Sequence, residues 1–152
     1  MCIRDRYTTD ASGLSSTRAA AADPSKWVVL PEIISKEPLG PLVRHGDHQW
    51  GDVVRWSLNA MIIAEELGIT SENVDAQKSS NVPEVLRLLG VEGSYGEMLE
   101  LAPDWAYQII KQIGNYSESY EANVGPDTPL EIARGLNALW TQGGILYAPP
   151  FR

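Results

Sequence analysis

An α/β fold follows from three features of this chain. "YTTD" (7–10) reads as the end of a strand and "ASGL" directly after it as the start of a helix. "WVVLPEII" (27–34) reads as a buried strand, broken or ended by Pro31. From His48 to Leu67, apolar residues recur at the 3-to-4 spacing of one helix face. The arrangement is lopsided, with strand-like segments near the start and roughly a hundred mostly helical residues after them. Two strands do not make a stable sheet, so segments that pair with them are expected elsewhere.

The elements follow in order. Asp10 begins "DASGLSSTRAAAA", an N-capped helix with small residues suited to close packing. "EPLGPLVRHGD" (37–47) is extended, because Pro38 and Pro41 forbid a helix while Leu42 and Val43 favour a strand. Two prolines and a glycine in four residues read as a stiff crossing between two bodies. Gly46-Asp47 caps the long helix, whose apolar positions include Trp50, Val53, Val54, Met61, Ile62 and Leu67, and Gly68 sits at its left-handed end. "SENVDAQ" is a weak helix; "NVPEVLRLLG" has an N-terminal proline and a closing Gly90. In "APDWAYQIIKQIGNYSESYEANVG", Trp105, Ile109, Ile110 and Ile113 form one face, which Tyr116 and Tyr120 prolong until Gly125. Thr128-x-x-Glu131 predicts a capping box for a last helix running towards Trp140, before the proline-fixed tail "QGGILYAPPFR".

Composition narrows the function. The 152 residues are 43% apolar and 21% charged, enough for a compact domain with a core. No stretch reaches the roughly 18 consecutive apolar residues of a membrane span, and the best run, "NAMIIA", is far too short. A net charge of −8 with no Lys/Arg cluster argues against nucleic acid as a partner. The single cysteine, Cys2, excludes an internal disulfide and a cysteine zinc cluster. No secretory leader is visible, which taken alone suggests the cytoplasm.

The remaining constellations favour no chemistry. His45 and His48 flank Asp47 without a third histidine, so a solvated, Asp47-capped helix start outweighs a metal site. Ser12, Ser15 and Ser16 lack a triad histidine, and no catalytic residue is assigned. "GVEGSYG" lacks the Gly-Lys-Ser/Thr ending of a phosphate loop. Glu65, Glu66, Glu118 and Glu121 read as solvated helix residues, and the tryptophans (27, 50, 56, 105, 140) as packing residues. Asp10 keeps two readings: the N-cap of its helix, or a carboxylate at the strand ends of an open α/β sheet, where ligands bind and where it suits an ammonium group.

"YTTDASGL", "VVLPEIISKEPLGPLVRHGD", "DWAYQIIKQIGNYSESYEANVG" and "LEIARGLNALWTQGGILYAPPFR" together resemble the C-terminal half of a periplasmic general L-amino-acid-binding protein of an ABC importer, in solute-binding protein family 3. The resemblance covers nearly all of residues 7–152. It implies a type II periplasmic-binding-protein fold of two lobes and roughly twice this length. Residues 7–35 would end the second lobe, 36–41 would be the return hinge, and 42–152 would complete the first lobe with extra C-terminal helices. Asp10 matches the family aspartate that receives the ligand's α-ammonium group. The arginine for the α-carboxylate would lie upstream of Tyr7; Arg18, Arg44, Arg55, Arg87, Arg134 and Arg152 do not match its motif.

What the resemblance implies further is a periplasmic monomer, without cofactor or metal, that captures an L-amino acid and delivers it to a membrane permease. "MCIRDR" (1–6) is then adapter sequence, the translated end of a transposon used in library preparation, so Cys2 and the missing leader carry no meaning for compartment. The rival is an enzyme on the same fold, resembling periplasmic cyclohexadienyl dehydratases, which needs cleft acid–base residues beyond Asp10. A kinase-linked sensor would need a membrane segment after the last helix.

Overall fold

The computed structural model describes residues 6–35 and 39–151, so Cys2, Lys36, Glu37 and Pro38 of the expected hinge, and Arg152 lie outside the described residues. The chain divides into two compact units: residues up to Gly40 with Glu121–Arg134, and Pro41–Tyr120 with residues from Gly135 onward.

In the first unit, helix α1 (Ala11–Ala19) begins at Asp10, and a single 3-10 turn follows at Pro24–Lys26. The strand expected over 27–34 is corrected: these residues carry no strand pairing. Trp27 is 53% exposed, and Val28 and Ile34 are both 81% exposed. A strand exists only as a member of a ladder, and an apolar sequence supplies the tendency without the partner. The same holds for Leu42 and Val43, which open the second unit in extended, unpaired backbone.

The helix expected after Thr128 is also corrected. A capping box needs the glutamate to fold back onto the cap amide. Here the Thr128 amide donates to the Gly125 carbonyl at 3.0 Å, and Glu131 takes a left-handed φ of 52°. Its carboxylate instead meets Arg18 at 2.6 Å. The chain continues through isolated 3-10 turns at Gly135–Asn137 and Trp140–Gln142.

The second unit is built on α2 (His48–Glu66). Asp47 accepts from the Trp50 amide at 3.2 Å to start it. A Schellman end closes it, with Ile69 N–H on the Ala64 carbonyl at 2.8 Å and Gly68 at φ 67°. Short helices α3 (Val74–Gln77), α4 (Pro83–Leu88) and α5 (Tyr95–Met98) lead to α6 (Trp105–Ile113), which packs on α2 and α3. Gly114, at φ 91°, splits what the apolar spacing suggested was one face. Helix α7 (Tyr116–Asn123) follows, its residues from Glu121 on belonging to the first unit, and Ile113 is left exposed.

Ile62, Ile63, Ile69, Val74, Leu88, Leu89, Trp105 and Ile110 form the core, with Phe151 brought into it from the end of the chain. The Phe151 ring lies 5.2 Å from Trp56, 5.5 Å from Tyr95 and 6.1 Å from Trp105. Truncating such a buried ring to alanine costs about 3–5 kcal/mol. The tryptophans do not share one role: Trp105 is buried and Trp56 packs on the core, whereas Trp27, Trp50 and Trp140 are more than half exposed. Among the described residues no helix is long and apolar enough to cross a membrane.

Candidate functional site

Asp10 ends an extended stretch and caps α1 with φ −60° and ψ 161°. Its Oδ1 accepts from the Gly13 amide at 2.8 Å and from the Ser12 hydroxyl; its Oδ2 accepts from the Thr9 hydroxyl at 3.2 Å. The capping reading is therefore realised. A carboxylate has room for about four donors, so Oδ2 retains capacity for another.

The Ser12 hydrogen bond first, and the Gly13 amide second, hold the Asp10 carboxyl below the ordinary aspartate value. Its position at a helix N-terminus also favours the charged form. Asp10 is thus anionic at neutral pH, fixed in direction and half-exposed. That arrangement accepts a cation through a charge-assisted hydrogen bond.

Gly13 leaves room for these side chains: a Cβ there would fall 2.7 Å from Thr9 Cγ2 and 3.0 Å from Asp10 Oδ2, so the Thr9 side chain would have to shift. Thr9, Ser12 and Gly13 escaped the sequence reading as partners of Asp10. The signal was present in "TDASG", a hydroxyl on either side of the aspartate and a glycine three residues on.

Asp10 is not among the lining residues of a hollow of about 410 Å³ beside Arg18, Trp27 and Glu131, nor of one of about 220 Å³ beside Glu66 and Trp140. His45 and His48 are exposed, and the described residues hold no group of three His, Cys, Asp or Glu side chains placed for a metal. Glu118 departs from its solvated reading: its carboxylate accepts from Ser71 and from the Asn115 amide.

No protein-family model matches the chain. Individual proteins do. The chain is 57% identical over 149 residues to a glutamate/glutamine/aspartate/asparagine-binding protein of Rhodobacter capsulatus, covering 97% of this chain and 44% of that protein. It is 56% identical over 150 residues to the general L-amino acid-binding periplasmic protein of Rhizobium johnstonii, again covering 97% of this chain and 44% of the relative. An ABC transporter/periplasmic binding protein from Brucella ovis, solved with glutathione bound, matches with a TM-score of 0.90 and 53% identity. That match covers 95% of this chain and 46% of the solved one. The fold is accordingly part of a periplasmic-binding-protein fold, here in its helix-rich portion, and the chain spans less than half the length of these relatives. Their names describe binding rather than catalysis.

Proposed function

From the premise that this chain is homologous over nearly its whole length to periplasmic amino-acid-binding proteins of ABC transporters, we propose that it forms part of an extracytoplasmic receptor for L-amino acids. The receptor captures its ligand between two lobes and presents it to a membrane permease, with no bond made or broken.

The observation that carries this reading is the state of Asp10. A free amino acid is a zwitterion, and removing it from water is unfavourable unless both charges meet a partner. Asp10 is a carboxylate anionic at neutral pH, oriented by Ser12 and Gly13, and keeps acceptor capacity on Oδ2, which suits the α-ammonium group. We assign it that role. The cation for the α-carboxylate belongs to the portion of the receptor outside this chain. Residues 7–35 would then belong to one lobe and residues from 42 onward to the other, with 36–41 as the crossing. Ligand contacts with both lobes would favour a closed state, which the permease senses.

Calorimetry on the product of the complete reading frame tests this. L-Glutamate, L-glutamine, L-aspartate and L-asparagine are titrated, and the ligand is recovered and analysed afterwards. Saturable binding with ligand returned intact is the expected result. Chemical conversion of the ligand, or the absence of binding to any L-amino acid, overturns the proposal.

A further inference from the structure

We propose that the C-terminal segment of the second unit forms a seat for an arginine side chain presented by a protein partner. Asp10 is not among the residues of this surface, and the proposal does not depend on the amino-acid reading. A hollow of about 220 Å³ has Ile63, Ala148 and Pro150 as its apolar lining, with Trp140, Tyr147, Glu66 and Glu84 as its polar and aromatic walls. No basic residue lines it. Trp140 is 52% and Tyr147 66% exposed, although both are large aromatics beside a formed core.

Three of the wall residues, Glu66, Trp140 and Tyr147, are already in contact with one another. Trp140 donates its indole N–H to Glu66 Oε1 at 3.1 Å, which uses the ring's only donor and pins its plane. Tyr147 meets that ring edge-on, with centroids 6.1 Å apart and planes at 73°. The backbone beneath is closed by Trp140 N–H on Leu146 O at 3.0 Å and Leu146 N–H on Ala138 O at 3.1 Å. Gly144 permits that turn, because a Cβ there would lie 1.8 Å from the Ala138 carbonyl oxygen. Phe151, buried in the core, anchors the tail a few residues further on.

The chemistry selects the guest. Glu66 ends α2, where the helix dipole adds to its negative charge, and its second oxygen remains for a donor. Glu84, in the first turn of α4, supplies a second carboxylate to the same hollow. Aromatic faces beside carboxylates suit a cation with an apolar stem. A planar guanidinium both stacks on an indole and bonds a carboxylate in two places, which an ammonium does not. The volume, about 220 Å³, is below the roughly 300 Å³ of drug-sized pockets and has room for one guanidinium and its stem. The chain's net charge of −8 attracts a basic partner over distance.

The test follows the indole N–H signal of Trp140 by nitrogen–proton NMR, identified by its loss in Trp140→Phe. The blocked peptide acetyl-Gly-Arg-Gly-amide is the probe. It should shift that signal saturably in the millimolar range, whereas its citrulline counterpart should not. Glu84→Gln should weaken the peptide by at least about fivefold. The positions of the other indole signals report that the variant is folded. Several results overturn the proposal: no saturation by about 20 mM, an equal response to the citrulline or lysine peptide, or a stronger response to free L-arginine than to the blocked peptide. Repeating the titration on the product of the complete reading frame covers the remaining case. A Trp140 signal that stays silent there means the rest of the protein fills the seat, and the proposal fails.

Discussion

The Glu118 carboxylate holds Ser71 by both of its donors, accepting from the amide at 3.1 Å and from the hydroxyl at 2.6 Å across 47 residues of sequence. The same carboxylate accepts from the Asn115 amide at 2.8 Å, while Asn115 donates to the Ile69 carbonyl at 2.9 Å. One side chain thus ties the turn after α2 to the joint between α6 and α7. Glu118→Ala leaves three donors without their acceptor and should lower stability by about 2–4 kcal/mol in urea unfolding, with Glu118→Gln intermediate. A loss below about 0.5 kcal/mol would show that water replaces the carboxylate without cost.

Gly114 supports the same joint. Its φ of 91° with ψ of −177° belongs to a region essentially reserved for glycine, and an added Cβ would fall 2.7 Å from the Glu118 Cβ. Gly114→Ala should therefore destabilise by about 1–3 kcal/mol or more, measured as a shifted urea midpoint. An unchanged midpoint would contradict that geometry.

This joint marks one limit of sequence reading. Helix α2 was legible because everything that specifies it is local: the Asp47 cap, one apolar face and a terminal Gly68. The break at Gly114 was hidden by apolar and aromatic residues whose spacing continues across it. Glu118 looked solvated because its partners, Ser71 and the Asn115 amide, are set by chain folding rather than by spacing. The Thr128 box failed for a similar reason, since Glu131 is taken by Arg18 113 residues away. The strand-like 27–34 segment is apolar in sequence, but pairing is a property of neighbours, and none of the described residues supplies one. At the candidate site, the capping role of Asp10 was readable from "DASG", and "TDASG" held its hydroxyl partners too, but only the coordinates show which oxygen each one bonds.

Asp75 gives a pH signature. Lys111, donating at 2.8 Å, and next Tyr107, donating at 2.8 Å, hold its carboxyl below the ordinary value of 3.8. A depressed folded value means the contribution is complete above the unfolded value and is lost as pH falls through the lower folded one. Asp75→Asn should flatten the acid limb of stability below about pH 4 relative to the wild type. Parallel acid limbs in the two proteins would exclude this linkage. Lys111 is raised by the same pair, so its share is present below its unfolded value and disappears as pH rises through the folded one.

The exposed apolar segment has a consequence in solution. Val28, Leu30, Ile33 and Ile34 are each at least 70% exposed, which leaves more apolar surface open than a lone soluble unit ordinarily carries. The isolated chain should self-associate, and the pair Val28→Glu with Ile34→Glu should reduce light scattering without changing far-ultraviolet circular dichroism. Equal scattering from the two proteins would place the association elsewhere. Alone, the chain should also give no measurable heat with L-glutamate, since on the proposed reading it would present the ammonium partner without the opposing wall.

The central claim is that Asp10 receives an α-ammonium group, and Asp10→Asn isolates it, because asparagine caps a helix about as well as aspartate but carries no charge. In the product of the complete reading frame, the affinities of L-glutamate and of glutarate, which lacks the ammonium group, are compared in wild type and variant. The account predicts a preference for L-glutamate of about 100-fold or more in the wild type that falls to within about threefold in Asp10→Asn, with little change in unfolding midpoint. An undiminished preference in the variant would contradict it.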